Sequence, residues 1–316
     1  MNEMQKKKIS ICVPCYNEEK NIANMYQAIS EQMATIPEYK YEIIFADNAS
    51  QDSSADILRA LAAEDKEHVR VIINNRNFGP TRSGINCLNR TSGDAVISIP
   101  CDFQEPPEMI PTLVKEWAKG NVVVWGQKIE SNESKTMWNV RSLFYKLMRK
   151  LSRVETYDHI TGFGIIDRKV IEGFKPYEDI SRGVKTFVLE MGYPVKLIPY
   201  KQNERKEGKS SYSLASYFDL AVQMIVRLSD RATRIALLSG VLCILLTVLM
   251  LVLWVVLCIA SIVRPSFEAV VLLLVMLICS GTLMGVGLVG EYVNQVLRYV
   301  AKVPIVVEKE TINFPE

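Results

Sequence analysis

The sequence contains little histidine and no excess of one charge. Its 316 residues include only two histidines, His68 and His159, which argues against a histidine-rich metal site and a Ser-His-Asp triad. The 37 Lys and Arg residues nearly balance the 35 Asp and Glu residues, leaving a formal net charge of +2. A protein that binds nucleic acid through overall basicity is therefore excluded, and no nucleic-acid partner is expected.

Two familiar nucleotide-binding motifs are also absent. No G-x-G-x-x-G sequence is present, which argues against a dinucleotide site. Gly208, Lys209 and Ser210 resemble the end of a phosphate loop, but position 203 is Asn where that loop requires Gly. The seven cysteines are scattered, and the Cys12–Cys15 pair lies on a predicted strand rather than opening a helix. This usage is typical of reduced, intracellular thiols.

Long apolar runs are confined to the C-terminal third of the chain. Residues 235–263 and 269–290 contain no charged residue, and only five residues separate the two runs. Each exceeds the ~20 residues that a helix needs to cross a bilayer. The sequence therefore predicts a two-helix transmembrane hairpin. A buried hairpin of a soluble domain is the less favoured alternative.

The basic residues around the two runs predict their orientation. Arg227, Arg231 and Arg234 precede the first run, and Arg298 and Lys302 follow the second. By the positive-inside rule, both flanks and both termini are expected in the cytoplasm, which makes this a multi-pass protein of the cytoplasmic (inner) membrane. We predict a catalytic domain over 1–211, a juxtamembrane amphipathic segment over 212–234 and a cytoplasmic tail over 291–316.

The first hundred residues alternate between strand and helix patterns. Strands are predicted at the start of ISICVPCYNE and over 41–46, 69–74 and 95–99, and helices over 22–33, 53–64 and 81–89. Such alternation predicts an α/β fold with a mostly parallel sheet covered on both faces. Ligands of such sheets bind beyond the carboxyl ends of the strands.

A polar cluster follows each of these four strands. The clusters occupy residues 16–19, 47–52, 77–79 and 102–105. One cluster alone could be a helix cap, as Asp52 or Ser53 would suggest. Four on the same edge indicate a cleft for a nucleotide and a metal ion. Without a phosphate loop, a divalent cation on carboxylate oxygen is the simplest way to neutralise the nucleotide phosphates.

Four segments carry a family resemblance: VPCYNEEKNI, ADNASQDSS, NRNFGPTRSGIN and PCDFQEPPEMIP. They resemble the inverting family 2 glycosyltransferases of the GT-A fold, and within them the polyprenyl-phosphate (dolichol- or undecaprenyl-phosphate) sugar transferases. The resemblance implies a membrane-bound enzyme that moves one sugar from a nucleotide-sugar to a polyprenyl phosphate for cell-envelope glycans. The similarity of the tail to bacterial relatives is consistent with a homotetramer.

The resemblance also assigns roles to individual residues. The nucleotide-sugar would be bound by residues of the first three clusters and of a later basic loop: Pro14, Tyr16, Asn17, Glu18, Asp47, Asn77, Gly79 and Ser210. Asp102 and Gln104 would hold Mg²⁺ or Mn²⁺ against the diphosphate. Arg141 and Arg149 would face the acceptor phosphate, and Arg205 would close over the diphosphate with Ser210. Asp102, Arg141, Arg205 and Asp158 are the candidate catalytic residues.

Three departures from the family pattern keep alternatives open. Pro100 replaces the first Asp of the metal motif, and Asn48 replaces the second Asp of the second cluster. Gly162 stands where many relatives carry an Asp, which leaves Asp158 as a substitute carboxylate. One alternative is transfer to the hydroxyl of a lipid-linked sugar, which requires a general base. The other is an inactive membrane scaffold that only binds a sugar nucleotide.

Overall fold

The computed structural model of the chain describes residues 6–130, 157–175, 183–203 and 305–315, together with individual positions between 271 and 296. The chain divides into two compact units, the first comprising Met1–Tyr145, Glu155–Ser211 and Val303–Glu316, and the second Lys146–Val154 and Tyr212–Lys302. The run 235–263 and the segment 212–234 lie outside the described residues. Within the described part, no helix combines the length and apolar character needed to span a bilayer.

An eight-stranded sheet forms the centre of the first unit. Its strands are β1 Lys8–Cys15, β2 Lys40–Asp47, β3 Val69–Asn74, β4 Ala95–Ser98, β5 Val123–Glu130, β6 Ile160–Asp167, β7 Val195–Lys201 and β8 Glu308–Ile312. They lie in the order β7-β5-β6-β4-β1-β2-β3-β8, and only β6 and β8 run antiparallel to their neighbours. The predicted α/β class with a mostly parallel sheet is confirmed.

Helices cover both faces of this sheet. They are α1 Ile22–Ala34, α2 Ser54–Glu64, α3 Pro80–Asn89, α4 Ile110–Ala118, α5 Arg168–Phe174 and α6 Gly183–Glu190, with a short 3₁₀ turn at Pro107–Met109. The core on one face includes α1, α2 and α4, and that on the other includes α3, α5 and α6. Because β1 is covered on both faces, its side chains are buried almost without interruption, including the polar Ser10, rather than in alternation.

The strand register brings the polar clusters to one edge. In the parallel pair of β1 and β2, Cys15 lies opposite Asp47, so the first two clusters begin side by side. Cys12 lies opposite Ser98 at the end of β4, which brings the fourth cluster to the other side of β1. The predicted convergence of the clusters at the carboxyl edge therefore follows directly from the sheet.

The C-terminal tail contributes a strand that the sequence did not suggest. β8 pairs antiparallel with β3, with Ile72 opposite Thr311. The Arg59 guanidinium forms a 2.8 Å ion pair with Glu310. The Asn313 amide donates to the carbonyls of Ala62 and Val69 at 2.7 and 3.0 Å. The last described residues of the predicted tail are thus part of the central sheet.

Candidate active site

Reciprocal hydrogen bonds join the loops that follow β1 and β2. The amide of Asn17 donates to the Ser50 hydroxyl at 2.9 Å, and the amide of Gln51 donates to the Asn17 side-chain oxygen at 2.8 Å. Asn17 and Ala49 both have positive φ angles, of 56° and 61°. Each loop therefore turns sharply at the strand end and presents its polar groups to the other.

Asp47 lies at the base of these two loops and is only 1% exposed. Its carboxylate accepts hydrogen bonds from the amide and the hydroxyl of Ser50. Burial raises the pKa of Asp47, and the bonds from Ser50 oppose that rise. A carboxylate has about four acceptor positions, and the bonds from Ser50 occupy only part of them.

The other predicted residues of the first loop have structural roles beside any ligand contact. The Glu18 amide donates to Ser54 Oγ at 2.9 Å, and the Glu18 carboxylate accepts from the Asn21 amide group at 2.6 Å before α1 begins. Tyr16 is half-buried, and Pro14 lies opposite Ala46 within the strand pair. The conformation of the loop is therefore fixed by its own hydrogen bonds.

Asn48 connects the second cluster to the third. Its side-chain nitrogen donates to Asn77 Oδ1 at 2.9 Å, and its oxygen accepts from Asn74 Nδ2 and the Phe78 amide, each at 3.0 Å. Asn77 Oδ1 also accepts from the amide of Gly79 at 2.8 Å. An aspartate at position 48 could not donate to Asn77, which gives this departure from the family pattern a physical reason.

Asp102 and Gln104 flank a tight turn in the fourth cluster. Phe103 between them has a φ of 59° and a buried side chain. The Gln104 amide donates to Asp102 Oδ1 at 3.2 Å, and the Gln104 carbonyl accepts from the Asn203 amide at 3.0 Å. The turn is thereby fixed to the end of β7, directly before the predicted basic loop.

The donor atoms at this turn suit a hard divalent cation. Asp102 is half-buried and offers carboxylate oxygen, and the Gln104 side chain offers an amide oxygen. Among the described residues, no three His, Cys, Asp or Glu side chains are grouped to hold a metal ion. One carboxylate with substrate phosphates and water is a common environment for Mg²⁺. The residues therefore fit a cation whose remaining ligands come from the nucleotide.

A buried polar cluster next to this turn consists of Glu105, Lys128 and Tyr200. The sequence did not predict that these three residues lie together. Glu105 is 3% exposed and accepts a hydrogen bond from the Tyr200 hydroxyl at 3.2 Å. Burial raises the pKa of both groups, while the Lys128 ammonium opposes that rise at Glu105. Lys128 on β5 and Tyr200 on β7 carry no distinguishing sequence signal, because neither belongs to a motif or to a repeated spacing. Together they support the turn that carries Asp102.

Asp158 and Gly162 lie at the start of β6. The Asp158 carbonyl accepts from Gln127 Nε2 at 3.1 Å, and Asp158 itself is half-buried. Gly162 has a φ of 96°, and a Cβ added there would meet no heavy atom within 4 Å. The assignments of Arg141, Arg149, Arg205 and Ser210 lie outside the described residues and stay predictions.

Comparison with known proteins identifies a family over half of the chain. The sequence profile of glycosyl transferase family 2 matches residues 10–174. The chain is 28% identical over 291 residues to the bactoprenol glucosyl transferase of Shigella phage SfX, covering 92% of this chain and 94% of the relative. It is 25% identical over 307 residues to the putative glycosyltransferase CsbB of Bacillus subtilis, covering 97% and 92%.

Two solved structures show weaker similarity. The mannosyltransferase PcManGT from Pyrobaculum calidifontis, in complex with GDP-Man and Mn²⁺, is 16% identical with a TM-score of 0.49, covering 73% of this chain and 65% of the other. S. aureus TarS in complex with UDP-GlcNAc is 17% identical with a TM-score of 0.45, covering 71% and 67%.

Proposed function

Because this chain belongs to glycosyl transferase family 2, we propose that it is a membrane-bound glycosyltransferase that moves one sugar from a nucleotide-sugar to a polyprenyl phosphate, with inversion. The observation that carries the proposal is the meeting of four polar clusters at the carboxyl edge of the sheet. Relatives that match over nine-tenths of the chain are named bactoprenol glucosyl transferases, which supports a polyprenyl acceptor.

The donor would occupy the loops after β1, β2 and β3. Asp47 and the Asn17 loop would contact the base and ribose, and the turn containing Asp102 and Gln104 would hold Mg²⁺ or Mn²⁺ beside the diphosphate. When bound, the cation would offset the negative charge that grows on the departing diphosphate. Pro100 removes one carboxylate of the family motif, so Asp102 would carry this role with fewer protein ligands.

The acceptor phosphate needs no dedicated general base. The second pKa of a phosphate monoester is near ~6, so its oxygens are largely deprotonated at neutral pH. One of them would attack the anomeric carbon and form the new C–O bond, while the bond to the nucleoside diphosphate breaks and its oxygen keeps the electron pair. The absence of a carboxylate at Gly162 is compatible with this reaction, because no hydroxyl has to lose a proton.

We test the reaction by offering the purified full-length protein three acceptors with a radiolabelled nucleotide-sugar. We expect transfer to a polyprenyl phosphate and none to a polyprenol or to a polyprenyl-diphosphate sugar. Asp158→Asn should retain most of this activity. Transfer only to the diphosphate-linked sugar, abolished by Asp158→Asn, would contradict the proposal and favour a hydroxyl acceptor. No turnover with any nucleotide-sugar would favour a binding scaffold.

Membrane attachment through residues 235–263 and 269–290 is part of the proposal. The described positions between 271 and 296 are helical, and many of them expose apolar side chains: Val271, Val275, Ile278, Val286, Val289, Val293 and Val296. Exposed apolar surface of this kind marks a site that is covered by lipid or by another protein. Lipid agrees with the absence of charge in 269–290.

Topology gives a direct test of this attachment. With both termini in the cytoplasm of a bacterial cell, only residues 264–268 would reach the opposite side of the membrane. We expect a cysteine introduced at Ser266, in a background without exposed thiols, to react with an impermeant thiol reagent added outside spheroplasts. A cysteine introduced at Lys309 should be protected until the membrane is opened. Labelling at position 266 only after lysis would contradict the hairpin.

A further inference from the structure

Lys185 places a half-buried positive charge near the candidate site. The residue lies on α6, and its Nζ donates a hydrogen bond to the Ile160 carbonyl at 2.9 Å. Burial lowers the pKa of Lys185 to about 8, and no charged group among the described residues contributes to that shift. The ammonium is therefore still protonated at neutral pH, and no carboxylate of the described ranges balances its charge. Its described partner is a neutral carbonyl, so the ammonium can still take an anion that arrives with a ligand.

The position of Ile160 places this ammonium at the carboxyl edge of the sheet. In the antiparallel pair of β4 and β6, Ser98 at the end of β4 lies opposite Gly164. Ile160 precedes Gly164 by four residues on β6. Because β6 runs antiparallel to β4, Ile160 lies beyond the carboxyl end of β4. The chain continues from that end of β4 to Asp102. The amide of Lys128 on β5 donates to the His159 carbonyl at 3.0 Å, whereas the next carbonyl, that of Ile160, accepts from Lys185.

The same edge contains open space over Gly162. Side chains alternate between the faces of a strand, so Gly162 and Ile160 belong to the same face of β6. That face is covered by α6, because Ile160 belongs to the same core as Val184, Phe187 and Val188. A Cβ on Gly162 would meet no heavy atom within 4 Å. A half-buried ammonium and the open space over Gly162 thus share one face and one edge of the sheet.

We propose that Lys185 binds a phosphate group of a substrate, seated over Gly162. The inference rests on the proposed function, in which the donor and the acceptor both carry phosphate. Two N–H donors of the ammonium remain after the bond to Ile160, and a charge-assisted bond to a phosphate oxygen is among the stronger hydrogen bonds in proteins. The phosphate comes either from the nucleoside diphosphate or from the polyprenyl phosphate.

Binding measurements on Lys185→Met and Lys185→Arg distinguish these two sources. Full-length protein in detergent is titrated separately with UDP or GDP in the presence of Mn²⁺, and with a short-chain polyprenyl phosphate. We expect Lys185→Met to weaken one of these affinities by at least about tenfold, and Lys185→Arg to keep it within about threefold. The exposed Lys169 on α5 provides the matched control, and Lys169→Met should bind both ligands normally.

The ligand-free melting temperature separates binding from a structural role. If Lys185 serves a ligand, removing its unpaired charge should leave the melting temperature of Lys185→Met unchanged or higher. A lower melting temperature with both affinities unchanged would overturn the inference and make Lys185 a structural cap of Ile160. If the wild type binds a phosphate ligand and Lys185→Met binds it equally well, this inference is overturned and the proposed function is not. A wild type that binds none of the ligands would overturn the proposed function as well.

An isosteric pair at Gly162 tests where the phosphate lies. Gly162→Asp and Gly162→Asn share shape and backbone strain, and both residue types tolerate positive φ better than most. Only the aspartate adds a negative charge at the proposed phosphate position. We expect Gly162→Asp to bind the phosphate ligand about tenfold more weakly than Gly162→Asn. Equal affinities would show that the space over Gly162 does not hold the phosphate.

Discussion

Asp102→Asn is expected to reduce metal-dependent sugar transfer by about 10³-fold or more, which corresponds to several kcal/mol of lost stabilisation in the transition state. The substitution keeps the shape of the side chain and can still accept the 3.2 Å hydrogen bond from the Gln104 amide. What it removes is the negative charge that a divalent cation requires. Initial rates at saturating Mn²⁺ give the size of the effect, and Mn²⁺ binding in the presence of nucleoside diphosphate should weaken in parallel.

Glu108→Gln is the matched control for this prediction. Glu108 lies in the same segment, six residues after Asp102, and is exposed at the start of the 3₁₀ turn. Its neutralisation removes the same charge from the same region without touching the turn at Phe103. We expect rates within about twofold of the wild type. Full activity of Asp102→Asn, or an equal loss in both variants, would show that Asp102 does not hold the cation.

Gly164→Ala is expected to lower the free energy of unfolding by about 3–5 kcal/mol, because it combines a steric clash with backbone strain. An added Cβ would lie 2.1 Å from the Val124 carbonyl oxygen and 2.8 Å from the Trp125 Cα, and Gly164 has a φ of 151°. The neighbouring strands β4 and β5 both pair with β6 at this residue, so the backbone cannot shift freely. Thermal unfolding followed by intrinsic fluorescence should show a fall of about 6–12 °C.

Gly162→Ala isolates the steric part of this loss. Gly162 lies on the same strand and also has a positive φ, but its added Cβ would meet nothing within 4 Å. Its cost should therefore be limited to backbone strain, about 1–2 kcal/mol. A melting temperature for Gly164→Ala equal to that of Gly162→Ala would mean that β5 moves away without cost, contrary to the close packing of this pair.

Local patterns in the sequence were sufficient for the central part of the fold. The strand over 69–74 has the predicted bounds. The apolar residues whose spacing predicts α1 are buried, except Tyr26, which is half-buried: Ile22, Met25, Tyr26, Ile29 and Met33. The helix predicted over 81–89 begins one residue earlier, at Pro80, because proline is well suited to a first helical turn. In these segments the spacing of apolar residues and the polar clusters at the strand ends involve residues that are close in sequence. Both can therefore be recognised from the sequence alone.

Contacts between distant residues could not be predicted in this way. Tyr200 contacts Glu105 although 95 residues separate them, and Lys185 reaches a carbonyl of β6 from a separate helix. Neither residue differs in type or spacing from an ordinary surface residue. The replacement of Asp by Asn48 was visible in the sequence, but its reason depends on the position of Asn77 across the cleft. Only the assembled sheet shows which side chains share an environment.

The pairing of β8 with β3 has a consequence for biosynthesis. β3 ends at Asn74, whereas its edge partner begins at Glu308. During translation the edge of β3 therefore stays open until β8 has left the ribosome, more than 200 residues later, and an open edge strand is a template for aggregation. A ribosome that stalls between these two strands would release a chain whose sheet lacks β8.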